Sequence, residues 1–134
     1  MNHYKLILPE HLNHDGFLFG GNMLKWIDEF AYITASQDFP ENRFVTVALD
    51  NVSFHHAVTG GEIIRFEVNR HHIGRTSAQY NVRVFGTRRH SCPDAILFET
   101  KITFVAVDRD GHKQEIQRKD TGDAAPSGAS TGES

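Results

Sequence analysis

Residues 21–36, Gly-Asn-Met-Leu-Lys-Trp-Ile-Asp-Glu-Phe-Ala-Tyr-Ile-Thr-Ala-Ser, decide the fold. Met23, Trp26, Ile27, Phe30, Ala31 and Thr34 recur at the i, i+3, i+4, i+7 spacing of an amphipathic helix running from Gly21 to about Ser36. Leu24, Ile33 and Ala35 widen that face and leave Lys25, Glu29, Tyr32 and Ser36 as a narrow polar ridge. A helix that is apolar around most of its circumference must be buried on several sides. A curved sheet wrapped around it supplies that burial.

Outward from this helix the chain reads as strands. Tyr4–Leu8 is short, while Phe44–Phe54, Ile63–Ile73, Ala78–Phe85 and Ile96–Val107 are long and rich in Val, Ile, Phe, Thr and Tyr. Gly60-Gly61, Gly74 and Asp108-Arg109-Asp110-Gly111 carry turn chemistry between them, and polar Gly86–Asp94, with Pro93, reads as a loop. One long helix followed by four hairpin-linked strands predicts an α+β fold, with a mainly antiparallel sheet on a central helix. Edge-to-edge dimerisation would extend such a sheet.

The sequence has 134 residues, enough for one domain. Residues 1–115 are expected to fold. Residues 116–134 form a polar C-terminal tail expected to be disordered, because from Asp120 onward no bulky apolar side chain offsets the entropy of ordering. Fourteen basic and seventeen acidic residues give a net charge of −3, which argues against a nucleic-acid-binding domain. A single cysteine, Cys92, excludes an internal disulfide framework and a Cys-rich zinc module. No apolar run reaches a membrane span, and Met1–Lys5 does not resemble a signal peptide, so a soluble cytoplasmic protein is expected.

The loop His11-Leu12-Asn13-His14-Asp15-Gly16-Phe17-Leu18-Phe19-Gly20-Gly21 runs straight into the helix. Paired glycines there admit a ligand close to the backbone and leave the first N–H groups free for an anionic oxygen. An ordinary loop-to-helix junction explains them equally well. Asp28, seven residues past Gly21, lies at the edge of the apolar face beside Leu24 and Ala35. Partial desolvation there would raise its pKa and suit a general base or nucleophile, although periodicity alone reads it as a solvated surface acid. Gly74-Arg75-Thr76-Ser77 offers a guanidinium, two hydroxyls and flexible backbone to a phosphate, or is a plain hairpin turn. Arg88-Arg89-His90 is a second small basic cluster. Nine histidines raise the question of metal, yet the pairs His55-His56 and His71-His72 sit on or beside strands, where successive side chains face opposite ways. No HExxH or Cys/His zinc spacing occurs, so no metal is expected.

Together these segments resemble the hotdog-fold acyl-CoA thioesterases of the bacterial short-chain type. The resemblance rests on Asn13 to Gly21 followed by Asp28, then Thr46-Val47-Ala48-Leu49, Phe54 to Glu62, Gly74 to Ser77 and Phe104 to Asp108. It implies a hotdog fold whose dimers share one continuous sheet, with dimers of dimers and trimers of dimers as larger assemblies. It implies hydrolysis of an acyl-CoA to CoA and a free acid at the dimer interface. There Asp28 would act as base or nucleophile, Asn13 of the other subunit would orient water or thioester, and the Gly21 N–H would bind the carbonyl oxygen. Gly74, Arg75, Thr76 and Ser77 correspond to the loop that meets the CoA nucleotide. No cofactor is implied, since CoA is part of the substrate and product.

The chain departs from the family pattern at Ala57, where proline is usual, at His56, where Arg or Lys is common, and at Asp15, in place of Asn. Two other classes remain in view. A non-catalytic acyl-CoA-binding hotdog module would bind CoA esters without turning them over. A hotdog dehydratase would need a His-Phe-Pro-Gly type motif, which is absent.

Overall fold

The computed structural model describes residues 1–87 and 95–118. Arg88, Arg89, His90, Cys92, Pro93 and the tail from Asp120 lie outside the described residues. The elements run in the order β1 (Asn2–Leu6), a short 3-10 turn (Pro9–His11), α1 (Gly20–Asp38), β2 (Arg43–Phe54), β3 (Ile63–Ile73), β4 (Ser77–Gly86) and β5 (Ile96–Val107). Strand β1 begins and ends two residues earlier than the expected Tyr4–Leu8, because Pro9 opens the 3-10 turn immediately after Leu8. Helix α1 runs two residues beyond Ser36 and stops at Asp38, since Phe39 precedes Pro40 and leaves the helical region, with φ −135° and ψ 70°.

The sheet is antiparallel throughout, in the order β1-β3-β4-β5-β2, so β1 and β2 are its edges. Alternation along the strands sends Ile64, Phe66 and Val68 of β3, Ala78, Tyr80, Val82 and Val84 of β4, and Phe98, Ile102 and Phe104 of β5 into the core. Asn81, Arg83 and Lys101 take the opposite parity on the outer face. From the helix, Met23, Trp26, Ile27, Ala31, Thr34 and Ala35 are buried, while Lys25, Glu29 and Tyr32 are exposed. The sheet therefore wraps the helix as its apolar circumference demands. Ile116, one residue past the expected domain limit, is also buried in this core.

Two features fix the surroundings of the helix start. Gly61 adopts a φ of +85°, which turns the chain from β2 into β3 and lets its N–H reach Ile7 O at 2.8 Å. The loop before α1 is fastened by Leu18 N–H on Val58 O at 2.8 Å and by Asn22 Nδ2 on His11 O at 3.0 Å.

Candidate active site

Asn13 organises the loop that enters α1. Its side-chain Oδ1 accepts from the N–H groups of Asp15 at 2.8 Å and Phe17 at 3.1 Å, an Asx turn closed by Asn13 N–H on Phe17 O at 2.7 Å. The carbonyl half of this amide is committed to the loop. Its Nδ2 donor has no acceptor among the described residues.

Helix α1 begins without a side-chain cap on Phe19 and without an acid in its first turn. The N–H groups of Asn22 and Met23 both turn to Phe19 O, at 3.0 and 3.3 Å, and those of Gly20 and Gly21 have no acceptor among the described residues. A Cβ at Gly20 would lie 3.2 Å from the Phe54 ring, so that position is packed. At Gly21 a Cβ would meet nothing within 4 Å. The Gly21 amide thus sits in open space at the positive end of the helix dipole, where an anionic oxygen is favoured.

Two turns along, Asp28 is half-buried on the wall of a cavity of about 420 Å³, shared with Lys25, Glu29, Tyr32, Phe44 and Thr46. Thr46 Oγ1 donates to Asp28 Oδ1 at 2.6 Å. The other carboxylate oxygen has no donor among the described residues. Sequence reasoning placed Thr46 in a strand block and missed this contact. The β2–β5 register slips between Thr46 and Ala48, and such a bulge is invisible to an alternation count. No hydrogen bond joins Asn13 to Asp28 within the chain.

Gly74, Arg75, Thr76 and Ser77 lie at the β3–β4 turn. Gly74 N–H donates to Ser77 O at 2.8 Å, Thr76 O accepts from Ala106 N–H at 2.9 Å, and Arg75 O accepts from Ile116 N–H at 2.8 Å. The Arg75 side chain is exposed, and Arg118 reaches the same turn, with Nη2 3.4 Å from Gly74 O. Two of the three departures from the family pattern, His56 and Ala57, line an apolar cavity of about 310 Å³ beside the helix start, with Gly20, Met23, Phe54 and Val58 among the other walls. His55 is tied to Glu99, Nε2 to Oε2, at 3.2 Å. Among the described residues, one trio of potential metal ligands converges, Asp108, Asp110 and His112. It is a surface turn in which Asp108 Oδ1 accepts the N–H groups of Asp110 at 2.8 Å and His112 at 3.0 Å.

Comparison with known proteins fits this architecture. Residues 15–93 match the thioesterase superfamily. A Zymomonas mobilis protein described as an uncharacterized acyl-CoA thioester hydrolase is 31% identical over 105 residues, covering 78% of this chain and 70% of its own. A hexameric hotdog-fold thioesterase of Campylobacter jejuni superposes with a TM-score of 0.76 at 32% identity, over 86% of this chain and 88% of that one. An acyl-CoA hydrolase of Staphylococcus aureus, solved with butyryl coenzyme A, coenzyme A and coenzyme A disulfide, gives 0.71 at 26% identity, over 87% and 68%. With its main helix enfolded by a five-stranded antiparallel sheet, the chain belongs to the thioesterase superfamily and is a hotdog-fold thioesterase.

Proposed function

We propose that this chain hydrolyses an acyl-CoA thioester to CoA and the free carboxylic acid, at a site completed by a second copy of itself. The observation that carries the reading is the half-buried Asp28 carboxylate, with Oδ1 held by Thr46 at 2.6 Å and its other oxygen left without a donor among the described residues. Thr46 fixes the rotamer, so the second oxygen can take a proton from an attacking water. The water oxygen bonds to the thioester carbon, and negative charge builds on the carbonyl oxygen. An N–H donor such as that of Gly21 stabilises this charge. The C–S bond then breaks, and the thiolate of CoA leaves and is protonated. Direct attack by Asp28, through a mixed anhydride that water later opens, uses the same geometry. The activated thioester and its good leaving group require no metal in either route.

One helix cannot supply both groups to one carbonyl. Gly21 and Asp28 are seven residues apart, about 10 Å along the axis, whereas a base and an oxyanion donor must each stand about 3 Å from the reacting atoms. The reading therefore pairs Asp28 of one protomer with Gly21 and Asn13 of the other, whose unclaimed Nδ2 is free to orient water or thioester. Strand β2 supports this pairing, since its outer edge has no partner strand among the described residues and it exposes Val45, Val47, Val52 and Phe54, with Phe17 and Phe19 also exposed. The hexameric state of the Campylobacter relative fits such dimers as its building block. Arg75, with Gly74, Thr76 and Ser77, would meet the phosphates of CoA, and Arg118 adds a second guanidinium at the same turn.

Free-thiol release from acyl-CoAs tests the reading. Asp28→Asn is expected to lower kcat at least about a hundredfold, ~2.7 kcal/mol of transition-state stabilisation. Subunit mixing tests the sharing. Asp28→Asn and Asn13→Ala proteins, each nearly inactive alone, should regain roughly a quarter of the parental sites when co-refolded, because a mixed dimer holds one intact site in two. Absence of any recovery would place the whole site within one protomer.

A further inference from the structure

We propose that Asn22 is a positioning residue, whose side-chain amide locks the Gly21 N–H and the Asn13 loop of one protomer into a single register. This rests on the thioesterase reading above and deepens it. In that reading Gly21 and Asn13 act on one thioester from the same protomer. Their relative placement must therefore be fixed while each keeps a free donor.

An ordinary helix start cannot meet both demands. A Ser, Thr, Asp or Asn at the N-cap fixes the first turn by accepting an N–H from its second or third residue, and that consumes a donor the site needs. Here the N-cap is Phe19, which has no side-chain oxygen, and the helix opens on Gly20 and Gly21, whose backbones are the least constrained of any residue. An uncapped turn begun by two glycines frays unless something else holds it.

Asn22, the third residue of the helix, supplies that restraint from the other direction. Its Nδ2 donates to His11 O at 3.0 Å, and its backbone N–H donates to Phe19 O at 3.0 Å. His11 O also accepts from Phe19 N–H at 3.2 Å, so both lone pairs of this carbonyl hold the helix start. His11 is itself immobilised. Its Nδ1 accepts from Leu8 N–H at 2.9 Å, and its ring meets the buried Trp26 edge-on, with 4.8 Å between centroids. Asn13 follows two residues later, and its Asx turn leaves from this anchor. The Asn22 side chain thus ties the neighbour of Gly21 to the segment that carries Asn13. It engages neither the Gly21 N–H nor the Asn13 Nδ2, so both stay open to the substrate.

The test is a double-mutant cycle on the full chain, read as kcat and KM for thiol release from whichever saturated acyl-CoA the parent turns over fastest. Asn22→Leu is close to asparagine in volume but has no donor, and Asn22→Ala repeats the deletion without adding an apolar branch. Tm is measured for each, so that kcat refers to folded protein. Both variants should lower kcat at least about tenfold, ~1.4 kcal/mol, because a small misplacement of a reacting group is costly. KM should stay within about threefold, since the Gly74 to Ser77 turn proposed to meet CoA is untouched. In a Gly21→Pro background, where the positioned amide is gone, the same substitutions should cost no more than about threefold. A merely structural asparagine would lower Tm and leave kcat of the folded protein alone. Parental kcat in both variants, or a loss as large beside Gly21→Pro as in the parent, overturns the positioning role and leaves the hydrolase standing. Silence of the parent toward every ester from two to sixteen carbons overturns the hydrolase reading and this one with it.

Discussion

The two ends of α1 are built on opposite plans. At the C-terminal end the Asp38 carboxylate and the closing turn are both tied down. Asp38 Oδ2 accepts from Arg70 Nε at 3.0 Å and from Tyr80 O–H at 2.8 Å, and Arg70 lies over the Phe39 ring at 4.9 Å. Phe39 N–H closes the last turn on Ala35 O at 2.9 Å, and Asn42 ties Phe39 O to the segment carrying Gln117. At the N-terminal end the cap residue contributes no side-chain bond, the first turn has no acid, and Gly20 and Gly21 leave their N–H groups unclaimed among the described residues. An acid at a helix C-terminus works against the macrodipole, so Asp38 belongs there only because Arg70 and Tyr80 hold it. Stability is concentrated at one end, and the donors suited to an anionic oxygen are left open at the other.

The strongest way to break this contrast is to remove a donor at the open end. Gly21→Pro deletes one N–H in the first turn, where a helix tolerates proline, while Gly21→Ala keeps it and adds a Cβ that meets nothing within 4 Å. The proline variant is expected to fall about 10²–10³-fold further in kcat than the alanine variant, ~2.7–4 kcal/mol, as for loss of an oxyanion donor. Equal kcat in the two would show that this amide stabilises no transition-state charge.

The converse change at the closed end should damage stability alone. Asp38→Asn removes the charge that Arg70 and Tyr80 share. Both members of the ion pair keep about a quarter of their side-chain surface, 29% for Arg70 and 24% for Asp38, so the loss falls below that of a fully buried pair. About 2 kcal/mol is expected, seen as a Tm about 5–10 °C lower, with kcat of the folded enzyme within about twofold of the parent. Burial, and after it the Asp38 carboxylate, push the Tyr80 phenol far above its ordinary pKa. It therefore remains an O–H donor at any pH the protein survives, and the bond it makes is not a pH switch.

The same contrast explains what could be read from the residues in advance. The helix and the four long strands follow from periodicities of 3.6 and 2, which depend on neighbours in the chain; their ends shift by one residue at Gly20, Arg43, Ser77 and Gly86 and by two at Asp38, before Pro40. The open glycine end was legible too, because a missing cap is a local feature. The closed end was not: Asp38, Arg70 and Tyr80 lie 32 and 42 residues apart and converge only once the sheet curves round the helix. The Asp28–Thr46 bond was hidden for the same reason, with the added slip of the β2 bulge. Local pattern reveals elements and loose ends, whereas side-chain pairs that span the layers need the tertiary register.

A finer probe lies on the flank of the helix between these ends. The His3 ring stacks on Phe30 at 4.6 Å, with 9° between planes, and its Nε2 is 3.2 Å from Thr34 Oγ1. Burial, and then the positive charge of the amino terminus, lower its pKa below the ordinary 6.5. The sign follows directly. Above that ordinary value the imidazole is neutral in both the folded and unfolded chains, and its contribution is fully present. As pH falls through 6.5 toward the lowered folded value, the unfolded chain binds the proton first and stability is lost. Comparing Tm at about pH 7.5 and pH 5 should therefore show a decline in the parent that is smaller in His3→Phe, a ring that can still stack on Phe30 but cannot take a proton. Because His3 sits on β1, against the side of α1, this small pH response should appear in Tm and leave the ratio of kcat between Gly21→Pro and Gly21→Ala untouched. A kcat ratio that tracked His3 would mean the flank of the helix and its open end are coupled, and that the two ends do not act independently.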